Sequence, residues 1–329
     1  MKKNKCYIIA EIGINHDGKL ENVIKLIKYA KKAGASAVKF QVYDPHTLGR
    51  REDERLIKLF KSYPSETRYK MWKRLSFKKN WIDKISKECK KQKIDLGFSV
   101  FDEESLNKIK RAKPKFIKIA SSDLNDLFLI KQIKKTKIKI IVSSGMSYKK
   151  EIRKTIKILK NYNFTILHCV SLYPTDYKLI NLKRMQKIKK LHHSVGFSDH
   201  SIGISAAIKA IEMGASVLEK HFTYDKFADG PDHKCSADFH DMKLICDYAL
   251  INDKILGNGN IKPSKKELLN RKNAKKSIWA KKDINKGENF SVNNIEKTRP
   301  YSGLSADRFP EIIKKKSKYN FKKGDLIKI

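Results

Sequence analysis

The sequence predicts a (β/α)₈ barrel followed by a small β-rich domain, and three observations carry that prediction. Eight short runs bounded by Gly, Ser, Asn or Asp are apolar at successive positions, as parallel strands buried on both faces must be. Helix-period segments lie between most of them, the alternation of an α/β fold. After residue 250 the composition turns to Gly, Asn, Pro and Lys, and a compact segment with short β-like runs follows.

The strand-like runs are 6–13 (CYIIAEIG), 36–41, 95–100, 116–121, 139–145, 164–170, 194–200 and 216–223. Between the first two, ENVIKLIKYAKKAG sets Val23, Ile24, Ile27 and Ala30 on one helical face and stops at Gly34. SIGISAAIKAIEMGAS repeats the pattern with Ile204, Ala207, Ile208 and Ile211 before Gly214. Eight strands in a segment of 256 residues match the usual barrel of about 250 residues, although a doubly wound open sheet satisfies the same alternation. The interval 42–94 is the long one. It holds a polar stretch and then the helical FKKNWIDKISKECKK, and reads as an enlarged loop at the barrel rim, either a lid or a passive insertion. The expected organisation is therefore a barrel over 1–256, a linker over 257–273 and a small domain over 274–329, whose turns INKGENFS and FKKGDLI resemble each other.

Composition excludes several classes. The chain has 329 residues with 74 Lys+Arg against 35 Asp+Glu, a net charge of +39. Such a surplus raises nucleic acid or an anionic membrane as partners. Lys, however, outnumbers Arg 63 to 11, and no Arg-rich arm, zinc finger or aromatic-basic motif is present, so the charge reads as a lysine-coated surface. Cys6, Cys89, Cys169, Cys235 and Cys246 form no CxxC pair, which argues against a disulfide framework or a zinc ribbon. Glu11 interrupts the first apolar run too early for a signal peptide, and no stretch nears the roughly 18 apolar residues of a membrane span. A cytoplasmic protein with neither nucleic acid nor membrane as partner is expected.

Barrel active sites collect at the C-terminal ends of the strands. Those ends carry Glu11, Asn15 and His16; Lys39 and Gln41; Ser99; Lys118, Ser121 and Asp123; Ser143 and Ser144; His168, Ser171 and Tyr173; Ser198, Asp199 and His200; and Glu219, Lys220 and His221. Lysines and serines converging on one mouth suit a phosphate plus a carboxylate. His200 and His221 on adjacent strand ends suit a divalent metal completed by oxygen ligands. Lys39 and Lys118 interrupt apolar runs, where an unpaired ammonium is costly, so each belongs either to a site or to an internal ion pair. Cys169 and Cys235 read as packing residues.

The segments AEIGINHDG, AVKFQ, KIASSD, IVSSGM, LHCVSLYPT, FSDHS, EKHFT, GPDHKCS and KTRPYSGL resemble, in order, those of the sialic acid synthases. These are phosphoenolpyruvate-condensing nonulosonic acid synthases, including the N-acetylneuraminate, legionaminate and pseudaminate enzymes. The resemblance runs from about residue 6 to the C-terminus. It implies a TIM barrel followed by an antifreeze-like SAF domain. It further implies a Mn²⁺ or Mg²⁺ ion on His200 and His221, and phosphoenolpyruvate on Lys39, Ser99, Lys118, Ser121, Ser143 and Ser198 with Ser171 nearby. An N-acylated aminosugar would meet Gln41, Asp123, Tyr173 and Asp232, and Glu11 would handle a proton or the attacking water. In the family the tail domain of one subunit of a homodimer covers its partner's site, a role that falls here to Arg299.

Departures from the family pattern gather on the sugar side. FSVF stands where STPF is common, so Ser99 replaces a threonine; KIASSD replaces KIGSGE, so Asp123 is one methylene shorter than the usual glutamate; RPYSGL replaces RPGxG beside Arg299. The 42–94 interval lacks the usual asparagine-bearing rim segment. The activity expected from the resemblance is the condensation of phosphoenolpyruvate with N-acetylmannosamine or a diacetamido-dideoxy hexose. Pseudaminic acid synthesis is the variant reading, and a basic nucleic-acid-binding protein the alternative from another class.

Overall fold

The structure is a computed structural model that describes residues 6–49, 68–78 and 80–329. It falls into two compact units, Met1–Gly257 and Asn258–Ile329.

The first unit is a closed eight-stranded parallel barrel in which each strand pairs with its sequence neighbours and β8 returns to β1. The strands are β1 Tyr7–Gly13, β2 Ala37–Val42, β3 Asp95–Val100, β4 Phe116–Ile119, β5 Lys139–Ser143, β6 Phe164–Cys169, β7 Val195–Asp199 and β8 Val217–His221. Closure excludes the open-sheet alternative. Each run was apolar on both faces for a reason now visible. Alternate residues such as Ile8, Ala10, Val38, Phe40, Ile117 and Val142 pack outward against helices in the main core. Their neighbours Ile9, Ala37, Phe116, Ile141, Leu167 and Val217 form a separate apolar plug inside the barrel. Phe116 can fill the lumen because position 97 is glycine: a Cβ there would lie 2.2 Å from its ring.

Two residues further along each strand the inward positions become polar, and register aligns them in one layer. Glu11 is opposite both Lys39 and His221, Gln41 is opposite Ser99, Ser99 opposite Lys118, and Ser198 opposite Glu219. The plug below closes the lumen, so this layer opens only toward the C-terminal mouth.

The surrounding helices follow their sequence signals. Leu20–Ala33 buries Val23, Leu26, Ile27, Ala30 and Ala33 and ends on Gly34 at φ +97°, where the left-handed turn favours glycine. Asp102, Asp126 and Asp238 cap the helices Glu103–Lys110, Leu127–Lys135 and Phe239–Leu256. Helix Ser205–Glu212 buries Ala206, Ala207, Ala210 and Ile211, a face one position away from the expected one, with Ile208 half-buried. In the long interval, Arg68–Leu75 and Trp81–Gln92 are helical. The polar stretch read as a lid lies mostly outside the described residues. Among the described residues no helix is long and apolar enough to cross a membrane, and all five cysteines are buried.

In the second unit a helix, Lys265–Ala274, occupies much of the segment expected to be a linker. Ser264 and Glu267 close a capping box at its start, and near its end the Lys272 carbonyl accepts from the Tyr301 amide at 2.7 Å while Arg271 lies over the Tyr301 ring, so the helix is held although it buries no residue. Beyond it β9 (Ser277–Ala280) and β10 (Ile295–Thr298) pair antiparallel over a core of Ile278, Ile284, Phe290, Ile295, Ile312, Phe321 and Ile327. The two similar turns carry Gly287 and Gly324 at φ +88° and +90°. Ile284 and Phe321, just before them, exchange backbone hydrogen bonds at 2.8 Å.

Candidate active site

A cavity of about 350 Å³ opens at the C-terminal mouth of the barrel. Twelve of the fifteen residues expected at the site line it: Glu11, Lys39, Gln41, Ser99, Lys118, Ser121, Ser143, Ser171, Tyr173, Ser198, His200 and His221. The β strands position most of them by period two, since inward positions two apart on one strand share a face, whereas Ser121, Ser171 and Tyr173 lie in the loops after β4 and β6.

At the floor, Lys39 Nζ lies 2.7 Å from Glu11 Oε2 and donates to Ser99 Oγ at 2.7 Å. Gln41 Nε2 donates to Glu11 Oε1 at 3.2 Å. Opposite stands Glu219, which also lines the cavity and was absent from the expected site set. It accepts from Ser198 at 2.9 Å and lies 3.4 Å from Lys118 Nζ and 3.8 Å from Lys39 Nζ. Glu219 is therefore the counter-charge that lets two lysines share a dry barrel.

Environment separates the two carboxylates. Burial pushes Glu11 up to about 7, outweighing the opposing pull of Lys39. Burial also penalises Glu219, but Lys118, Lys39 and the Ser198 hydroxyl prevail and hold it at about 2. At neutral pH Glu219 is thus a fixed anion, whereas Glu11 is poised to exchange a proton.

On the wall formed by β6–β8, His200 donates from Nδ1 to the Val170 carbonyl at 2.8 Å, and its Nε2 meets Ser198 Oγ at 3.4 Å. Burial opposes its protonation, but Cys169 and the Val170 carbonyl raise it above the ordinary imidazole value. The His221 ring is 5.6 Å away, centre to centre, and its buried Nδ1 has no hydrogen-bond partner. Burial, with His200 and Lys39 nearby, drives His221 well below the usual imidazole range, so it is neutral and able to act as a ligand. Tyr173 stacks on His200 at 4.1 Å. Among the described residues no cluster of three His, Cys, Asp or Glu side chains has metal-centre spacing. The two imidazoles fit a divalent ion whose remaining ligands are substrate and water oxygens.

Ser121 and Ser143, at the ends of β4 and β5, stand beside Ser171 beyond β6. Ser121 Oγ accepts from the Gly145 amide at 3.0 Å. A Cβ on Gly145 would sit 2.4 Å from Ser171 Oγ and 2.7 Å from Ser121 Oγ, so glycine lets both hydroxyls approach the backbone. Ser143 Oγ is buried without a partner, an orphan hydroxyl in the cavity wall.

Three expected residues lie elsewhere. Asp123 does not line this cavity; it lines an adjoining annex of about 280 Å³ with Ile14, Tyr43, Leu48, Trp72 and Phe101, reached past Gln41 and Ser122. The chain turns into a 3₁₀ segment at Ser121–Asp123 after β4, which carries the carboxyl outward. Asp232 stands beside His221 without lining the cavity, its Oδ2 3.6 Å from Nδ1, and burial raises it to about 6. Arg299 is exposed in the second unit.

Other strand-end residues prove structural. His168 bonds the Ile180 carbonyl, and Lys220 pairs with Asp199 at 3.0 Å on the outward face of β7 and β8. Cys169, read as a packing residue, lines the cavity 3.8 Å from His200 Nδ1. Burial opposes its ionisation, but His200 and Lys118 bring the thiol down to about 7.

Comparison with known proteins identifies the family. The NeuB family profile matches residues 26–261 and the SAF domain profile residues 275–329. The chain is 37% identical over 331 residues to the N,N'-diacetyllegionaminic acid synthase of Campylobacter jejuni, covering 98% of this chain and 99% of that one. It is also 37% identical over 329 residues to the pseudaminic acid synthase of the same organism, covering 98% and 96%. The crystal structure of N-acetylneuraminic acid synthetase from Leptospira borgpetersenii in complex with citrate superposes with a TM-score of 0.74 at 30% identity, over 82% of this chain and 90% of that one. With matched profiles over both units and relatives spanning nearly its whole length, the chain belongs to the NeuB family and ends in a SAF domain.

Proposed function

We propose that this enzyme condenses phosphoenolpyruvate with an N-acylated aminosugar to give a nonulosonic acid and inorganic phosphate. The observation that carries this reading is the single polar layer at the barrel mouth. There two lysines, two unlike carboxylates, six serines and two imidazoles converge on one cavity.

Lys39, Lys118, Ser99, Ser121, Ser143 and Ser198, with Ser171 nearby, bind the phosphate and carboxylate of phosphoenolpyruvate. The orphan Ser143 hydroxyl gains its missing partner in doing so. Gln41, Tyr173, Asp123 and Asp232 orient the open-chain sugar so that its aldehyde carbon faces C3 of phosphoenolpyruvate. A Mn²⁺ or Mg²⁺ ion held by His200 and His221 would supply Lewis-acid polarisation of the aldehyde oxygen. Carbon–carbon bond formation converts the aldehyde oxygen into a hydroxyl with uptake of one proton and leaves cationic character at C2, where water adds. Glu11 accepts the proton released by that water, a role suited to a carboxyl near 7. The tetrahedral species then expels phosphate with C–O cleavage, its growing charge met by Lys39, Lys118 and the serine hydroxyls.

The annex favours one kind of sugar. Leu48, Trp72, Phe101 and the Tyr43 ring offer an apolar wall, and among the described residues its polar groups are Asp123, Ser122, Thr47, Gln41 and the Tyr43 hydroxyl. That lining suits a substrate whose distal carbons carry a methyl and a second acylamino group, that is, a diacetamido-deoxy hexose rather than N-acetylmannosamine. Arg299 of a second copy in a homodimer would complete the sugar site. The test is phosphate release by the purified protein with Mn²⁺ and phosphoenolpyruvate. Release is expected only on addition of an N-acyl aminosugar, faster with the diacetamido sugars; release indifferent to every sugar would overturn the reading.

A further inference from the structure

We propose that His233 is a positioning residue for the aminosugar half of the reaction, holding Asp232 against His221 through a buried clasp to the β1 loop. The inference rests on the sugar-facing role of Asp232 given above.

His233 is 1% exposed and follows Asp232 directly. Its Nε2 donates to Asp17 Oδ1 at 3.0 Å, and its Nδ1 meets Thr223 Oγ1 at 2.7 Å. Asp17 is itself fixed, accepting from Tyr224 at 2.6 Å and sitting at φ +55° in the turn after β1. Thr223 follows β8 two residues beyond His221 and also anchors the Asp225 amide at 3.0 Å. One imidazole thus links the loop after β1, the end of β8 and the segment carrying Asp232.

The surroundings are shaped for that ring. A Cβ at Gly230 would lie 2.4 Å from His233 Cδ2, so only glycine admits the imidazole. Asn15 adds a second strut, donating to Ser236 Oγ at 2.8 Å, and Ser236 donates to the Asp232 carbonyl at 2.6 Å. This second strut fixes the Asp232 backbone; His233 determines how the turn is rotated and hence where the Asp232 carboxylate points. The Thr–His–Asp order resembles a hydrolytic relay, but Thr223 is fully buried and has no route to a substrate. None of the three residues lines the main cavity.

The experiment compares wild type with His233→Ala and His233→Gln. The glutamine amide can still donate to Asp17. His233→Ala is expected to raise KM for the aminosugar at least tenfold while KM for phosphoenolpyruvate stays within twofold, and His233→Gln to recover much of the loss. Both KM values rising together, or no rescue by Gln, would show a general structural role and overturn the proposal. A crystal structure of His233→Ala is decisive whatever the activity. Asp232 Oδ2 is expected to leave its position 3.6 Å from His221 Nδ1, and an unmoved carboxylate refutes the clasp. If wild type shows no sugar-dependent phosphate release, the proposed reaction fails, while this structural arm still decides the clasp.

Discussion

Lys39 and Glu11 face each other across paired strands at 2.7 Å, with their side chains 3% and 1% exposed. So dry an ion pair does not by itself stabilise a fold, because desolvation of both charges consumes the Coulombic gain. Burial dominates at Glu11, and Lys39 keeps a second carboxylate, Glu219, at 3.8 Å. Glu11→Gln is therefore expected to unfold at or above the wild-type Tm at pH 8, while turnover falls roughly 10²–10⁴-fold through loss of the proton acceptor. Thermal unfolding and phosphate release check the two halves separately. A large fall in Tm would show that the pair is structural.

The same carboxyl sets a pH dependence whose two signs are opposed. Its folded value of about 7 exceeds the ordinary 4.5, so the fold favours the neutral acid. That contribution to stability is complete below pH 4.5 and fades as pH rises through about 7. Catalysis needs the anion, so kcat/KM is expected to fall as pH drops below about 7, roughly tenfold per unit. The difference in unfolding free energy between wild type and Glu11→Gln should change across this window and level off outside it. An acid limb near 4.5 would place the proton elsewhere.

Gly145 tests the serine side. A methyl group there would sit 2.4 Å from Ser171 Oγ and 2.7 Å from Ser121 Oγ, and must push both hydroxyls away. Hydrogen bonds to a charged group contribute about 1.5–3 kcal/mol each. Gly145→Ala is accordingly expected to raise KM for phosphoenolpyruvate by roughly tenfold or more, with little change in KM for the sugar. An unaltered phosphoenolpyruvate KM would remove Ser121 and Ser171 from the binding site.

The sequence made the barrel and most of its mouth legible because one rule, period two, governs both. Residues buried on the helix side and residues lining the lumen alternate along every strand, so the strand runs and the inward serines, lysines and histidines could be read together. What escaped were features that period two does not encode. Glu219 lies two residues before His221 and faces inward by the same rule, yet a carboxylate there has the same local signature as a structural ion pair. Lys220 and Asp199 form such a pair one residue out of phase. Asp123 left the main cavity because the strand had already ended and a 3₁₀ turn redirected it. The clasp joins Asp17 to Thr223 and His233, more than two hundred positions away, and only barrel closure brings them together. The helix Lys265–Ala274 had a readable Ser264–Glu267 capping signal inside a stretch whose composition suggested a linker.

The histidine pair makes a prediction about affinity as well as activity. His200 is oriented by the Val170 carbonyl, and His221 carries an unsatisfied Nδ1 in a site that keeps it neutral. Two imidazoles with no third protein ligand among the described residues form an incomplete shell for a hard divalent ion, which prefers oxygen donors in greater number. Mn²⁺ is therefore expected to bind weakly to the free protein and at least tenfold more tightly once the aminosugar supplies oxygens. Titration followed by the electron paramagnetic resonance of free Mn²⁺ measures both affinities. His200→Ala and His221→Ala should each abolish the sugar-dependent gain, and chelation should stop phosphate release until Mn²⁺ is restored. Equal affinity with and without sugar would mean that the protein alone completes the shell. In that case Asp232, 3.6 Å from His221, is the ligand to replace next.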